Sequence, residues 1–224
     1  MPRRSRSRPA SRPDEQSDSS DPLVDLLVIF AVVYVLQALT DAAGAMIGLF
    51  VLAPPLVDNP WTIVTSVYAH AGLDHLVSNS VALILFGWPV ARATTRLRFH
   101  TFVLVTGSLA GVSQILITGA LASTPFVGVA PTEGVLGASG AVFALLGYLL
   151  ASNRLSSAFA SVIDVSQWVT LGVFLVLAAI VTLATAQPGV ALIAHFTGFL
   201  VGLLAGRAGA LETRSRRSRS ASTV

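Results

Sequence analysis

A hydroxyl, two imidazoles and a carboxamide interrupt otherwise apolar stretches of this chain. They are Ser139 in Gly137-Ala138-Ser139-Gly140, His195 in Ala194-His195-Phe196-Thr197-Gly198, and His75 with Asn79 in His75-Leu76-Val77-Ser78-Asn79. Polar groups in hydrocarbon are costly and normally face a bundle interior or a water-filled cavity, so each marks a candidate site. Between them they supply a nucleophile, a base and donors for an oxyanion, which are the components of a serine hydrolase.

The scaffold that must position them is apolar throughout. Of 224 residues, 54% are hydrophobic and only 11% charged, and the mean hydropathy is +0.76. A soluble domain carries about 25% charged residues, so this chain has too little polar surface to cover itself. The composition predicts an all-α, polytopic membrane protein with a single domain over 22–207. The chain has no cysteine, which excludes disulfides and thiolate chemistry. The first twenty residues hold no apolar run, so no cleavable signal peptide is expected.

All 14 basic residues are arginine, and they are segregated. Five lie between Arg3 and Arg12 and five between Arg207 and Arg219; the rest are Arg92, Arg96, Arg98 and Arg154. Such tails can bind nucleic acid or anionic lipid. These lack the interleaved aromatics on which single strands stack. They read instead as disordered Arg/Ser-rich ends, 1–21 and 208–224, whose charge sets orientation in the lipid bilayer.

Charges and turn residues divide the remainder into six membrane-length pieces. The predicted spans are 23–40, about 73–91, about 101–121, 134–153, about 168–186 and about 189–206, with Gln187-Pro188-Gly189 separating the last two. A crossing helix needs about 20 residues, so the second, fourth and sixth are short. Six crossings place both termini on one side. With the N-terminal arginines cytoplasmic, all 14 arginines fall inside, while the outer loops hold Asp41, Asp58 and Glu133. That is the positive-inside pattern, and it predicts a multi-pass protein of the cell membrane with both termini cytoplasmic.

This topology brings the polar residues to one level. Ser139 lies six residues past Glu133, His195 six past Gly189, and Asn79 five past Asp74. At the helical rise of about 1.5 Å per residue, all three sit roughly 7–9 Å below the outer surface. His75 and Asn79, four apart, project from one helical face. In the sixth span Gly198, Gly202 and Gly206 recur at every fourth position, and the fourth span carries Gly140-xxx-Ala144. Small-xxx-small faces allow backbones to approach closely in lipid. A contact between spans four and six would bring Ser139 within hydrogen-bond reach of His195.

With these motifs in place, the chain resembles the rhomboid intramembrane serine proteases over about residues 22–207. The family's Gly-x-Ser-Gly matches Gly137 to Gly140, its His-x-x-x-Asn matches His75 to Asn79, and its Ala-His-x-x-Gly-x-x-x-Gly matches Ala194, His195, Gly198 and Gly202. Two positions depart from its pattern. Trp61 is followed by Thr62 where the family often has arginine, and Phe143 stands where an aromatic, often tyrosine, stacks on the base histidine. The resemblance implies a six-transmembrane-helix rhomboid-like bundle with a catalytic Ser139–His195 dyad. It implies an oxyanion hole of His75, Asn79 and the Ser139 N–H, with Gly137, Gly140, Phe143, Gly198 and His70 in support. Its implied substrates are single-pass transmembrane proteins, entering between spans two and five, and no cofactor is implied.

The other polar residues read more plainly. His100 follows three arginines and is expected to be a solvated interfacial residue, and His70 a loop residue bonded to backbone. Zinc on His70, His75 and His195 would lack the His-Glu-x-x-His arrangement of a metalloprotease, so no metal is expected. Gln114 and Thr118, an i, i+4 pair, read as interhelical hydrogen bonds. Two other function classes compete with the hydrolase. An inactive rhomboid-like client binder would be signalled by loss of Ser139 or His195, yet both are present. A transporter requires ionisable groups along the bilayer midplane, and the inner halves of these spans have almost none.

Overall fold

A computed structural model of the chain describes residues 21–126, 128–152 and 166–212. Most of both arginine-rich tails, and Arg154, lie outside the described residues. The described residues form helices α1 (Pro22–Ala42), α2 (Met46–Phe50), α3 (Thr62–Tyr68), α4 (Leu73–Ala91), α5 (Arg96–Ala122), α6 (Ser139–Ser152), α7 (Gln167–Ala184) and α8 (Leu192–Arg207). Four of these, α1, α4, α5 and α7, are long and apolar enough to cross a membrane; α6 and α8 are shorter apolar helices.

Local chemistry sets the helix ends. The Asp21 side chain accepts from the Leu23 N–H at 3.0 Å, and Pro22 opens α1 where a missing N–H costs nothing. Helix α5 starts at Arg96, earlier than the apolar run implies, because Thr95 caps it by accepting from the Arg98 N–H. Arginine is a good helix former, so the first turn extends beyond the hydrophobic stretch. The chain stays packed past Arg207: Leu211 is buried in the core, and Arg98 Nη1 donates to the Glu212 carbonyl at 2.6 Å.

The segment read as the first outer loop contains α2 and α3. Where the family's arginine is absent after Trp61, the loop is held by neutral hydrogen bonds. Trp61 Nε1 donates to the Gly48 carbonyl at 2.9 Å, and Ser108 Oγ of α5 donates to the Ile63 carbonyl at 2.8 Å.

Helix α6 is the hub. It packs on α4, α5 and most extensively on α8, and is buried on several sides through Gly140, Ala141, Val142, Ala144, Leu145, Gly147 and Tyr148. A helix apolar all round belongs in a core. The α6–α8 contact is a backbone contact. A Cβ on Gly198 would fall on the Gly140 carbonyl, one on Gly202 on the Ala144 carbonyl, and one on Gly206 at 2.6 Å from the Tyr148 carbonyl oxygen. Helix α1 packs on α4, whereas α7 packs chiefly on α8 and turns Val169, Val173, Val176 and Ile180 outward.

One sequence expectation changes here. Helical rise from Glu133 does not set the depth of Ser139, because residues 128–138 are not helical. Val135 exchanges backbone hydrogen bonds with Leu52 at 2.9 and 3.0 Å, which holds this segment extended, and α6 begins only at Ser139. Likewise α8 begins at Leu192, so only part of the run from Gly189 to His195 is helical. The side chains still meet at one end of the bundle, brought there by the extended segment.

Candidate active site

Ser139 is the first residue of α6, so its N–H belongs to the turn whose donors have no partner within the helix. His195 lies on the first turn of α8. The α6–α8 glycine contact brings them together, with His195 Nε2 3.0 Å from Ser139 Oγ. Phe143, one turn after Ser139, stacks on the imidazole with ring centroids 4.2 Å apart and planes 21° from parallel. His195 is buried, and its Nδ1 has no hydrogen-bond partner among the described residues. The ring is thus oriented by packing on one face and by the serine at Nε2.

The chain enters Ser139 through Gly137, whose φ is +129°, a region that favours glycine. A Cβ there would also come 2.6 Å from His75 Cε1, 2.8 Å from His75 Nε2 and 3.8 Å from Asn79 Nδ2. Glycine therefore lets the backbone before the serine lie against both α4 side chains. The Gly137 N–H donates to the Ser66 carbonyl at 2.8 Å, which holds the approach in place. Asn79 is 5% exposed, and its Nδ2 is a buried donor with no partner among the described residues. His75 Nδ1 accepts from the Ala71 N–H at 3.3 Å. A neutral ring accepting at Nδ1 carries its proton on Nε2, the nitrogen beside Gly137.

Ser139, His195, His75, Asn79 and Phe143 line a cavity of about 1020 Å³. It reaches down α4 to Phe86 and across to Gln187 in the turn after α7. Beside it, α4 and α7 share no extensive interface among the described residues. A hydroxyl hydrogen-bonded to an imidazole, beside two side-chain N–H donors and a helix N-terminus, can perform acyl transfer.

Gln114 supports this arrangement more directly than an interhelical tie suggests. The N-cap position of α8 is Ala191, which has no side chain to cap with. Gln114 Oε1 accepts instead from the Ile193 and Ala194 N–H groups at 3.0 and 3.1 Å, the donors that an N-cap normally takes. Its Nε2 donates to Thr132 Oγ1 at 2.9 Å, and the Thr132 N–H donates to Thr118 Oγ1 at 3.1 Å. One amide on α5 thereby links the helix bearing His195 to the segment leading into Ser139.

The remaining histidines stand apart from the dyad. His70 is 2% exposed, with its ring edge-on to Phe30 at 4.9 Å and to His75 at 5.3 Å. Burial, and then the neighbouring His75, hold the His70 imidazole down at about 4, so this ring is neutral near pH 7. Among the described residues no group of three His, Cys, Asp or Glu side chains comes together as a metal cage. His100 is not simply solvated: its Nε2 lies 3.0 Å from Asp25, which also binds Arg96 at 2.7 Å. Asp25 sits one turn into α1, opposite the first turn of α5, and gathers both side chains. Gln37 is the residue that sequence reasoning overlooked. Its only signal was being the one carboxamide in the first span, yet it is buried and clamps the His70 backbone.

Comparison with known proteins matches residues 57–211 to the rhomboid domain. RHOMBOID-like protein 4 of Arabidopsis thaliana is 31% identical over 150 residues, 66% of this chain and 34% of its own length. Rhomboid-related protein 2 of Mus musculus is 31% identical over 111 residues, covering 50% of this chain and 33% of the relative. Rhomboid-related protein 1 of Caenorhabditis elegans is 28% identical over 114 residues, covering 48% and 29%. The chain thus spans about a third of the length of the relatives it matches.

Proposed function

Because this chain belongs to the rhomboid family of multi-pass membrane proteins, we propose that it is an intramembrane serine endopeptidase acting through a Ser139–His195 dyad. The observation that carries the reading is the 3.0 Å Oγ–Nε2 contact, with Phe143 stacked on the imidazole. The protein crosses the cell membrane six times, with α6 and α8 as the two short crossings and both termini cytoplasmic. At about 1.5 Å per residue, the 14 residues of α6 cover only about 21 Å of a core near 30 Å. The extended segment before it makes up the difference inside the protein, where non-helical backbone can line a cavity. The arginine distribution supports this orientation.

The chemistry follows from the geometry. His195 Nε2 takes the proton from Ser139 Oγ as Oγ bonds to the scissile carbonyl carbon. The carbonyl oxygen becomes an oxyanion, held by the Ser139 N–H, Asn79 Nδ2 and His75 Nε2. As the intermediate collapses, the C–N bond breaks and the imidazolium gives its proton to the leaving amine. Water entering the cavity then attacks the acyl carbon, giving a proton to His195; the C–Oγ bond breaks, the imidazolium returns its proton to Ser139 Oγ, and the new carboxyl terminus leaves. The substrate is a single-pass transmembrane protein that enters between α4 and α7, which share no extensive interface among the described residues.

The test is a purified protein in liposomes with a single-span reporter, alongside labelling by a fluorophosphonate. Wild type is expected to cleave and to label, while Ser139→Ala and His195→Ala do neither. Cleavage by a purified Ser139→Ala protein would refute the assignment. A folded wild type that binds membrane helices but neither labels nor cuts would favour the inactive client binder instead.

A further inference from the structure

The Gln37 carboxamide makes two hydrogen bonds to a single residue of another segment. Its Nε2 donates to the His70 carbonyl at 3.1 Å, and its Oε1 accepts from the His70 N–H at 2.9 Å. The pairing imitates one rung of a β-ladder, with a side chain in place of the second strand. Residues 69–72 join α3 to α4 without helical structure, so their backbone groups find no partners within the segment. Buried backbone polar groups must be satisfied from elsewhere, and Gln37, only 4% exposed, provides this at His70. Phe30, two turns earlier on the same face of α1, packs against the His70 ring.

The consequence reaches the cavity within one residue. With the His70 N–H directed at α1, the next N–H, that of Ala71, points at His75 Nδ1. The His75 ring also meets, edge to face, the ring of His70, whose backbone carries the clamp, while Gly137 lies on its Nε2 side. Two of the groups against the His75 ring are therefore held from α1, although neither Gln37 nor Phe30 lines the cavity. We infer that Gln37 is a positioning residue: by clamping the His70 backbone it aims the Ala71 N–H at His75 Nδ1, which keeps the proton on Nε2 facing the reaction centre. The inference rests on the proposed protease reading for its kinetic consequence, but not for its effect on the tautomer.

Two measurements separate these parts. The first is ¹⁵N NMR of histidine-labelled protein in detergent micelles, with His75→Ala identifying the His75 signals. Wild type is expected to show a single tautomer with Nε2 protonated; Gln37→Met, of similar volume but unable to form either bond, is expected to show a mixture. An unchanged His75 tautomer in Gln37→Met overturns the inference, whether or not the protein cleaves anything. The second is a double-mutant cycle on cleavage of the single-span reporter. Removing an oxyanion donor costs about 10²–10³ in rate, so misaiming one is expected to lower kcat about tenfold with KM unchanged. In the His75→Ala background the same Gln37→Met change should cost less than about twofold, because sites acting through one partner are non-additive. An equal loss in both backgrounds would mean that the clamp serves only stability, and overturns the inference. Should Gln37→Met fail to fold, Gln37→Glu keeps the bond from the His70 N–H but not that to its carbonyl. It is then expected to show a mixed His75 tautomer and a kcat between those of wild type and His75→Ala, and wild-type values in both readouts would overturn the inference. Absence of cleavage by wild type itself would strike the protease reading, and leave the tautomer result standing.

Discussion

Replacing Gly198 by alanine probes the contact on which the dyad depends. The added Cβ would lie 2.9 Å from the Gly140 carbonyl carbon and 3.2 Å from its Cα, with the carbonyl oxygen closer still. Carbon atoms pack at about 3.5–4.0 Å, so α6 and α8 must separate locally by about 0.5 Å or more. Gly140 adjoins Ser139, and Gly198 lies one turn after His195, so the strain falls where the two side chains meet. Their 3.0 Å contact would open to about 3.5 Å, beyond the usual hydrogen-bond range. A misplacement of about 1 Å can cost 10²-fold in rate, so we expect kcat to fall about 10- to 100-fold. Overpacking should also cost about 1–3 kcal/mol of stability. Gly206→Ala is the control for stability alone: its Cβ would meet the Tyr148 carbonyl oxygen at 2.6 Å, some three turns from His195. Gly172→Ala on α7, with nothing within 4 Å, should leave kcat unchanged and not lower the melting temperature. The assay is reporter cleavage in liposomes with melting followed in parallel. Wild-type kcat in a folded Gly198→Ala protein would refute the reasoning.

Four further outcomes are expected. Asn79→Ala should lower kcat by about 10²–10³ while leaving the melting temperature nearly unmoved, because Nδ2 holds no partner among the described residues; a drop in melting without loss of rate would count against it. Phe143→Ala removes the ring stacked on His195, an interaction worth about 0.5–1.5 kcal/mol, and should slow fluorophosphonate labelling, whereas Phe143→Tyr keeps the stack and should label normally. Gln114→Met uncaps α8 and should cost about 1 kcal/mol, read as a lower melting temperature together with faster hydrogen exchange at Ile193 and Ala194. Asp25→Asn weakens the ties to Arg96 and His100, partly exposed pairs worth about 0–1 kcal/mol, and should leave cleavage kinetics unchanged.

The amino-acid sequence alone determined the residue types that meet at the cavity and the helices that carry them. Ser139, His195, His75 and Asn79 stand out because hydroxyl, imidazole and amide groups are costly in apolar segments, and the glycine stripe of the last helix marks where backbones can touch. Those signals are local, written in composition and in spacing along one helix. The extended entry to Ser139 was not legible in this way, because it depends on Val135 pairing with Leu52, more than eighty residues away. Nor were the roles of Gln37 and Gln114, whose partners are backbone groups at His70, Ile193 and Ala194. Every residue has a backbone N–H and carbonyl, so nothing in a side-chain pattern reveals which of them a distant amide will meet. Only the tertiary packing of α1 on α4 and of α5 on α8 selects those pairs.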